Sequence, residues 1–578
     1  MIRLLGIFLS SALIFLTTSC TPTKILGLED NINETTTTAQ SNFADTIFTN
    51  AAVYTVNESN PWAEAVAIQN GVIVYVGENA GANEWIGDQT EVIDLEGLML
   101  MPGFQDPHLH AVEAGNNEQL CILSATASAN QYRQELQDCA QQQSGAVWIR
   151  GAGVSMIDLL GMNESPLTII DSAIPDRPAI IQDDLGHGAW ANTLALEAVG
   201  YDQIDGHPQG GVLGRDAQGN LNGVVLENAQ QKLRTASLPP NQETLEFTYQ
   251  NFLGALNTLS AFGITSVSDA GGYWPRGHQD IWERAEREGT LSVRASNAFY
   301  VFPDRPFDEQ VAELRRLFND NSNSLVRFNQ AKIYVDGILD LGTSALNDSY
   351  DFFLDLPGTN ERGFLYFETN TLNRYSRELA EIGYQLHFHA TGDRGAGLAL
   401  DAIAQAQGAG DDARHRITHL YLIDESDRQR FKDLAVVADF QLAPGSTDLG
   451  YANLIGEIIG TRSNDLLPAA SILETGATVV LSSDWDADSL SPFEKIESVM
   501  TRSSEGISDL STVVRMMTLD VAFLLHQEDL TGSIEVNKMA DLIVLDRNLF
   551  DIPVSQIDRA SVLLTMLQGE VVFQDASF

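Results

Sequence analysis

Residues 102–110 read PGFQDPHLH and set Asp106, His108 and His110 within five consecutive positions. Side chains alternate along an extended strand, so His108 and His110 share a face. The chain has only 10 histidines among 578 residues, and two of them stand side by side here. Alone, such a pair reads equally well as a cross-strand or surface pair. Further polar residues interrupt other apolar runs: Lys332 in FNQAKIYVDG, His387 and His389 in YQLHFHATGD, His419 in RHRITHLY and Asp484 in TVVLSSDW. Imidazoles and carboxylates brought to one place are the ligand set of a divalent metal, with zinc the first choice because nitrogen donors dominate.

The elements that must carry these residues are short and regular. GITSVSDAG, LSVRASNAFYVF and AVVADFQLAP complete, with the four runs above and MLMPGFQDPHLH, a set of eight strand candidates. Between them lie stretches such as NFLGALNTLSAFG, DEQVAELRRLF and TLNRYSRELAEIG, whose apolar residues recur at three and four. Alternating strands and helices with eight strands predict an α/β fold, a (β/α)8 TIM-like barrel over residues 102–535. Residues 115–230 interrupt the order after strand one and hold strand-like pieces of their own, AVWIRGAG and PAIIQDD. They read as an insertion. Residues 43–101 and 536–578 share a texture of short β runs, which predicts a small β-sandwich of antiparallel strands built from both ends of the chain. In a barrel of this kind the active site forms at the carboxyl ends of the strands, and the unusual polar groups sit at those ends.

Composition bounds the rest. With 33 Lys+Arg against 79 Asp+Glu, the net charge of -46 opposes binding to nucleic acid or to an anionic lipid surface. Residues 1–20, MIRLLGIFLSSALIFLTTSC, read as an export signal. Its final cysteine resembles that of a bacterial lipoprotein signal, although Leu16 stands one place further from it than in the usual pattern. Lipidation at Cys20 would make the product a cell-envelope protein whose one membrane contact is that anchor; a periplasmic or secreted protein is the alternative. Residues 21–42, with the polar stretch NINETTTTAQSN at 31–42, read as a flexible tether. Cys121 and Cys139 either pair or remain core thiols, and oligomeric state stays open.

PGFQDPHLH looks like the first metal motif of the amidohydrolase superfamily. HATGD, RHRITH and SSDW resemble the later motifs of its amidohydrolase-3 branch, which includes the N-substituted formamide deformylases. The resemblance runs from Phe43 to the C-terminus, with one departure at Val536-Asn537-Lys538, where Pro-Gly-Lys is usual. It implies that His108, His110, His389, His419 and Asp484 hold one or two divalent ions. Lys332 matches a lysine that in related enzymes is carboxylated and bridges two metals; the alternative is an interior cation paired with Asp336. His387 reads as a barrel-filling neighbour of the ligands. Asp106 is expected to orient an imidazole, or else to make a structural hydrogen bond. LGHGAWAN resembles a family motif that makes His187 and Trp190 substrate-pocket candidates, with an ordinary domain-packing role the alternative. Glu227 matches a family position of unassigned role.

The implied reaction is hydrolysis of a carbon–nitrogen bond, non-peptide or terminal but not an ordinary internal peptide bond, in a small molecule. Water made acidic by metal would attack while Asp484 carries its proton, and His387 or His187 would help to stabilise the oxyanion. An esterase or lactonase on the same site and a non-catalytic ligand-binding surface lipoprotein are the alternatives.

Overall fold

The computed structural model describes residues 43–352, 359–408, 412–447 and 449–578. The expected signal and tether, residues 1–42, lie outside the described residues. Eight parallel strands form the central sheet: β1 Phe104–Leu109, β2 Ile264–Asp269, β3 Arg294–Tyr300, β4 Val326–Tyr334, β5 Gln385–Ala390, β6 Arg416–His419, β7 Val437–Phe440 and β8 Val479–Leu481. They neighbour one another in chain order, and each falls within one of the eight apolar runs except β4, which begins two residues before its run. β1, β2, β3, β5, β6, β7 and β8 are buried along their whole length, as expected of a parallel sheet covered on both sides.

The sheet closes into a barrel at its carboxyl end through the segment after β8. Asp484 N–H donates to His108 O at 2.8 Å and His110 N–H to Trp485 O at 2.6 Å. Asp106 adds a side-chain link, its Oδ1 accepting from the backbone N–H groups of His108 and Ser483, each at 3.1 Å. Asp106 therefore holds two backbones in register and does not orient an imidazole, which corrects the first of its two expected roles.

Helices hold the strand ends in place. The helix Thr369–Ile382 buries Leu372, Tyr375 and Leu379, the spacing of one apolar face. It stops at Gly383, whose φ of 113° suits glycine, and β5 with its two histidines begins two residues later. Truncating Leu379 to alanine would cost about 2–5 kcal/mol and loosen the seat of β5.

The insertion forms its own six-stranded sheet, in the order Gly211–Arg215, Leu221–Glu227, Gly188–Ala191, Ala179–Asp183, Ile149–Val154, Cys121–Ile122. Its core gathers Ile149, Ile170, Ile181, Trp190 and Leu226. Cys121 and Cys139 form a disulfide with Cα atoms 5.8 Å apart, tying the edge strand to the helix Ala129–Gln142.

Strands from both ends of the chain meet in a further six-stranded sheet, where Met99–Pro102 pairs with Leu542–Leu545. A four-stranded sheet from residues 46–94 supplies Phe48, Val66 and Ile68 to the core shared with Leu100, Leu542 and Leu564. The strands were expected to be antiparallel throughout, and the pairing is mixed. Thr46–Thr49 runs parallel to Glu91–Asp94, and Ala52–Tyr54 parallel to Met99–Pro102. The connections between these partners are long enough for the crossover that parallel pairing requires.

Candidate active site

His108, at the end of β1, is fully buried. Its Nε2 lies 3.3 Å from Asp484 Oδ1 and 3.0 Å from Lys332 Nζ, and its Nδ1 lies 3.0 Å from Thr418 Oγ1. His110 Nε2 reaches the same Asp484 oxygen at 3.1 Å. His419 Nδ1 stands 3.8 Å from Asp484 Oδ2, and the rings of His389 and His419 are 4.4 Å apart between centroids. Residues from β1, β4, β5, β6 and the loop after β8 thus meet at one mouth. His419 and Asp484 hold left-handed backbones, with φ of 77° and 57°. Each costs about 1–3 kcal/mol in a residue other than glycine, strain that tends to gather at functional sites.

Hydrogen bonds leave two imidazole nitrogens free for a ligand. His389 Nε2 faces Gly337 O at 3.0 Å, so it carries the proton and Nδ1 keeps its lone pair. His419 Nδ1 faces Gln441 Oε1 at 2.8 Å, which leaves the lone pair on Nε2. Both His389 Nδ1 and His419 Nε2 are buried without a hydrogen-bond partner. Buried polar atoms are rarely left so. Ligand atoms of His108, His419 and Asp484 also lie within 4.8 Å of one another. Orphaned nitrogens beside a carboxylate fit a divalent cation.

A second group, His108, His387 and Asp439, meets the same distance, but its chemistry differs. Arg416 Nη2 donates to His387 Nδ1 at 2.8 Å, and Arg416 Nη1 lies 3.7 Å from Asp439. A cation there would face a guanidinium.

Electrostatics favour the ligand forms. Burial holds His108, His389 and His419 below the ordinary imidazole range, His419 down to about 3, so all three are neutral. Burial, with Arg416 nearby, brings Lys332 down to about 7. Burial alone would raise Asp484, but the imidazoles of His108 and His110 against its oxygens outweigh that and keep it ionised.

Two cavities open on this cluster. One of about 480 Å3 is lined by His110, Arg234 and Tyr334, and one of about 280 Å3 by His389, Tyr421 and Tyr451. His187, His419 and Asp484 line both, so they stand between the two chambers.

The sequence model of the amidohydrolase family, Amidohydro_3, matches residues 91–573. The chain belongs to the amidohydrolase family. It is therefore a metal-dependent hydrolase with a small-molecule substrate. This amidohydrolase is 26% identical over 557 residues to Protein LONG AFTER FAR-RED 3 of Arabidopsis thaliana, covering 92% of each chain. It is 24% identical to the N-substituted formamide deformylase of Arthrobacter pascens, covering 92% of this chain and 98% of that one. An uncharacterized metal-dependent hydrolase from Pyrococcus horikoshii shares the fold, with a TM-score of 0.69, 21% identity and coverage of 88% and 99%. An adenosine deaminase from Xanthomonas campestris, solved with zinc bound, aligns at a TM-score of 0.51 with 14% identity, covering 92% of this chain and 93% of that one.

The amidohydrolase brings His108, His110, Lys332, His389, His419 and Asp484 together, with His187 on the cavity wall. His387 is fully buried behind His108, its Nε2 3.1 Å from His108 Nδ1, and lines neither cavity, so it has no path to a substrate oxygen. Trp190 takes the packing role of its two expected ones. It is buried in the insertion core, against Tyr132 and with Nε1 donating to Pro166 O at 3.0 Å. Its strand explains this, because residues three apart point to opposite faces. Asp336 accepts backbone N–H bonds from Ala345, Thr391 and Gly392, so it is not the partner of Lys332. Gln441 and Arg416 escaped the sequence reading. Both are polar residues within or just after a buried strand, the pattern that had marked the histidines.

Proposed function

We propose that this amidohydrolase cleaves a carbon–nitrogen bond of a small amide, with Asp484 as the proton carrier. The observation that supports it best is the position of Asp484. An ionised carboxylate stands against His108 and His110 and faces both cavities, beside the free nitrogens of His389 and His419. His108, His110, Lys332, His389, His419 and Asp484 would hold one or two divalent ions, zinc first, and Lys332 would be the residue open to carboxylation. A lysine that burial brings down to about 7 has the neutral amine which reaction with carbon dioxide needs. Such an ion supplies Lewis acidity, making water acidic enough to act as a nucleophile near neutral pH.

The chain's own residues then move the proton. Asp484 takes it from the attacking water as the oxygen bonds to the carbonyl carbon. It returns the proton to the nitrogen as the carbon–nitrogen bond breaks, leaving a carboxylic acid and an amine. His187, on the wall of both cavities, is placed to face the substrate. The N-substituted formamide deformylase among the relatives makes formamides the first substrates to try.

The experiment is metal analysis of protein purified without added zinc, followed by assay on N-formyl amines, N-acyl amines, cyclic amides, esters and lactones. Amide turnover by protein containing a divalent ion is expected. Turnover confined to esters or lactones would replace the reading with the esterase alternative, and absence of both metal and turnover would favour a ligand-binding lipoprotein.

We also propose export with a lipid anchor at Cys20. The disulfide between Cys121 and Cys139 suits an oxidising compartment. Cys20→Ser should move the protein from the membrane fraction to the soluble one; unchanged fractionation would remove the anchor.

A further inference from the structure

Glu227 ends the insertion strand Leu221–Glu227 and is buried to 1% exposure. Its carboxylate meets three donors from three separate segments. His187 Nδ1 donates to Oε2 at 2.6 Å, Tyr366 O–H to Oε2 at 2.6 Å, and Thr343 O–H to Oε1 at 2.5 Å. Thr343 follows β4 of the barrel, and Tyr366 N–H donates to Val335 O at the end of the same strand. The backbone is fitted to the task as well. Glu227 holds a φ of 57°, its N–H donates to His187 O at 2.7 Å, and a Cβ at Gly337 would collide with its carboxylate. A strained acid in a tight seat with every oxygen engaged is more than an incidental contact.

What this seat controls is the orientation of His187. With Nδ1 committed to Glu227, the edge of the ring that carries Nε2 is the part left to the cavity, and the side chain keeps 15% exposure. The ring lies 5.3 Å from that of His389 and 6.0 Å from that of Tyr334, centroid to centroid. An imidazole free to turn about its side-chain torsions would present Nδ1, Nε2 or a carbon edge in turn. One held by a carboxylate presents a single nitrogen, as metal-bound histidines do when their other nitrogen is tied to an acid.

We infer that Glu227 is a positioning residue for the reaction: through Nδ1 of His187 it turns Nε2 toward the substrate, and so joins the insertion to the chemistry of the barrel. This rests on the amide-hydrolase reading above. A purely structural clasp between insertion and barrel is the competing role. Such a clasp would act through Thr343 and Tyr366 without needing His187.

The test uses the full chain, metal-loaded as purified and labelled with 15N-histidine, as the wild type, Glu227→Gln, Glu227→Asp, His187→Ala and the double variant Glu227→Gln/His187→Ala. In ring-nitrogen NMR spectra, a downfield proton on His187 Nδ1, assigned by its absence in His187→Ala, should vanish in Glu227→Gln and return in Glu227→Asp. In assays with the fastest amide of the panel, Glu227→Gln and His187→Ala should each lower kcat about 10- to 100-fold. KM should change by less than about threefold. Glu227→Gln should cost less than about twofold more once His187 is gone. Losses that multiply in the double variant, or an unchanged kcat in Glu227→Gln, would overturn the inference. Should Glu227→Gln fail to fold, Glu227→Asp takes its place in each comparison, with a shifted Nδ1 proton and reduced kcat expected and an unaltered pair overturning. If no amide is turned over, the functional reading fails by itself, and the ring proton alone decides Glu227: its persistence in Glu227→Gln overturns the inference.

Discussion

Asp484 meets His108 twice. Its backbone N–H donates to His108 O at 2.8 Å, and its carboxylate Oδ1 stands 3.3 Å from His108 Nε2. The first contact closes the barrel between its last strand and its first. The second assembles the site. Closing the sheet and building the reactive cluster are therefore one event, and a chain that fails to close cannot bring an acid to these imidazoles.

That double role makes Asp484→Asn the sharpest test of chemistry against structure. The amide keeps the backbone bond and nearly the same volume but cannot accept a proton. We expect kcat to fall about 100- to 10,000-fold with the fold intact by circular dichroism. Residual activity within a few-fold of wild type, in protein that still holds metal, would remove Asp484 as proton carrier.

Metal should be readable in stability as well as activity. His389 Nδ1 and His419 Nε2 are buried without partners, so filling them favours the folded state. Dialysis against a chelator should lower the thermal midpoint and abolish turnover, and zinc should restore both. His419→Ala should blunt the metal-induced rise in the midpoint. A midpoint indifferent to chelator and zinc in the wild type would mean that these nitrogens are not ligands.

Much of this was legible before the structure, for a physical reason. β1, β5 and β6 are apolar runs that end in the polar residues of the mouth, so they announced both the fold and the site. Period and position could not reveal contacts made across the fold. Asp106 looked like a partner for an imidazole because the backbone amide of Ser483, its other hydrogen-bond partner, arrives from the far end of the chain. Trp190 followed His187 in a motif, yet strand alternation turned it into the insertion core. Glu227 matched a family position of unassigned role, and its meaning depended on Thr343, Tyr366 and His187 converging on it. The pairing of Cys121 with Cys139 was open because spacing alone does not decide a disulfide.

That disulfide should matter to the cavity. It ties down the edge strand Cys121–Ile122, and Ile122 lines the larger chamber. Opening a loop of this length costs about 3 kcal/mol in the chain-entropy account. Cys121→Ser/Cys139→Ser is expected to unfold at lower denaturant and to raise KM more than it lowers kcat. Unaltered stability together with unaltered KM would show that the edge strand is held by its backbone bonds to Gly151 and Ala152 alone.

Acid should find its first weak point at Glu113, in the helix that follows β1. Its carboxylate is buried and engages Arg234, Arg276 Nη1 at 2.7 Å and His278 Nε2 at 3.3 Å. Burial by itself would raise its pKa, but the two guanidinium groups dominate and hold it far below the ordinary value of 4.5. The sign follows from linkage. A carboxylate depressed by folding stabilises the protein above the pKa of the unfolded chain, and that contribution drains away as pH falls below about 4.5. Glu113→Gln leaves two buried arginines short of a counter-charge, a loss of about 3–5 kcal/mol at neutral pH. Denaturant unfolding of wild type and variant at pH 7 and at pH 3.5 measures both effects, and the gap between them should be wide at pH 7 and narrower at pH 3.5. A gap that stays constant would mean that Glu113 takes up its proton alike in the folded and unfolded chains, and the buried ion cluster would lose its place in the acid response.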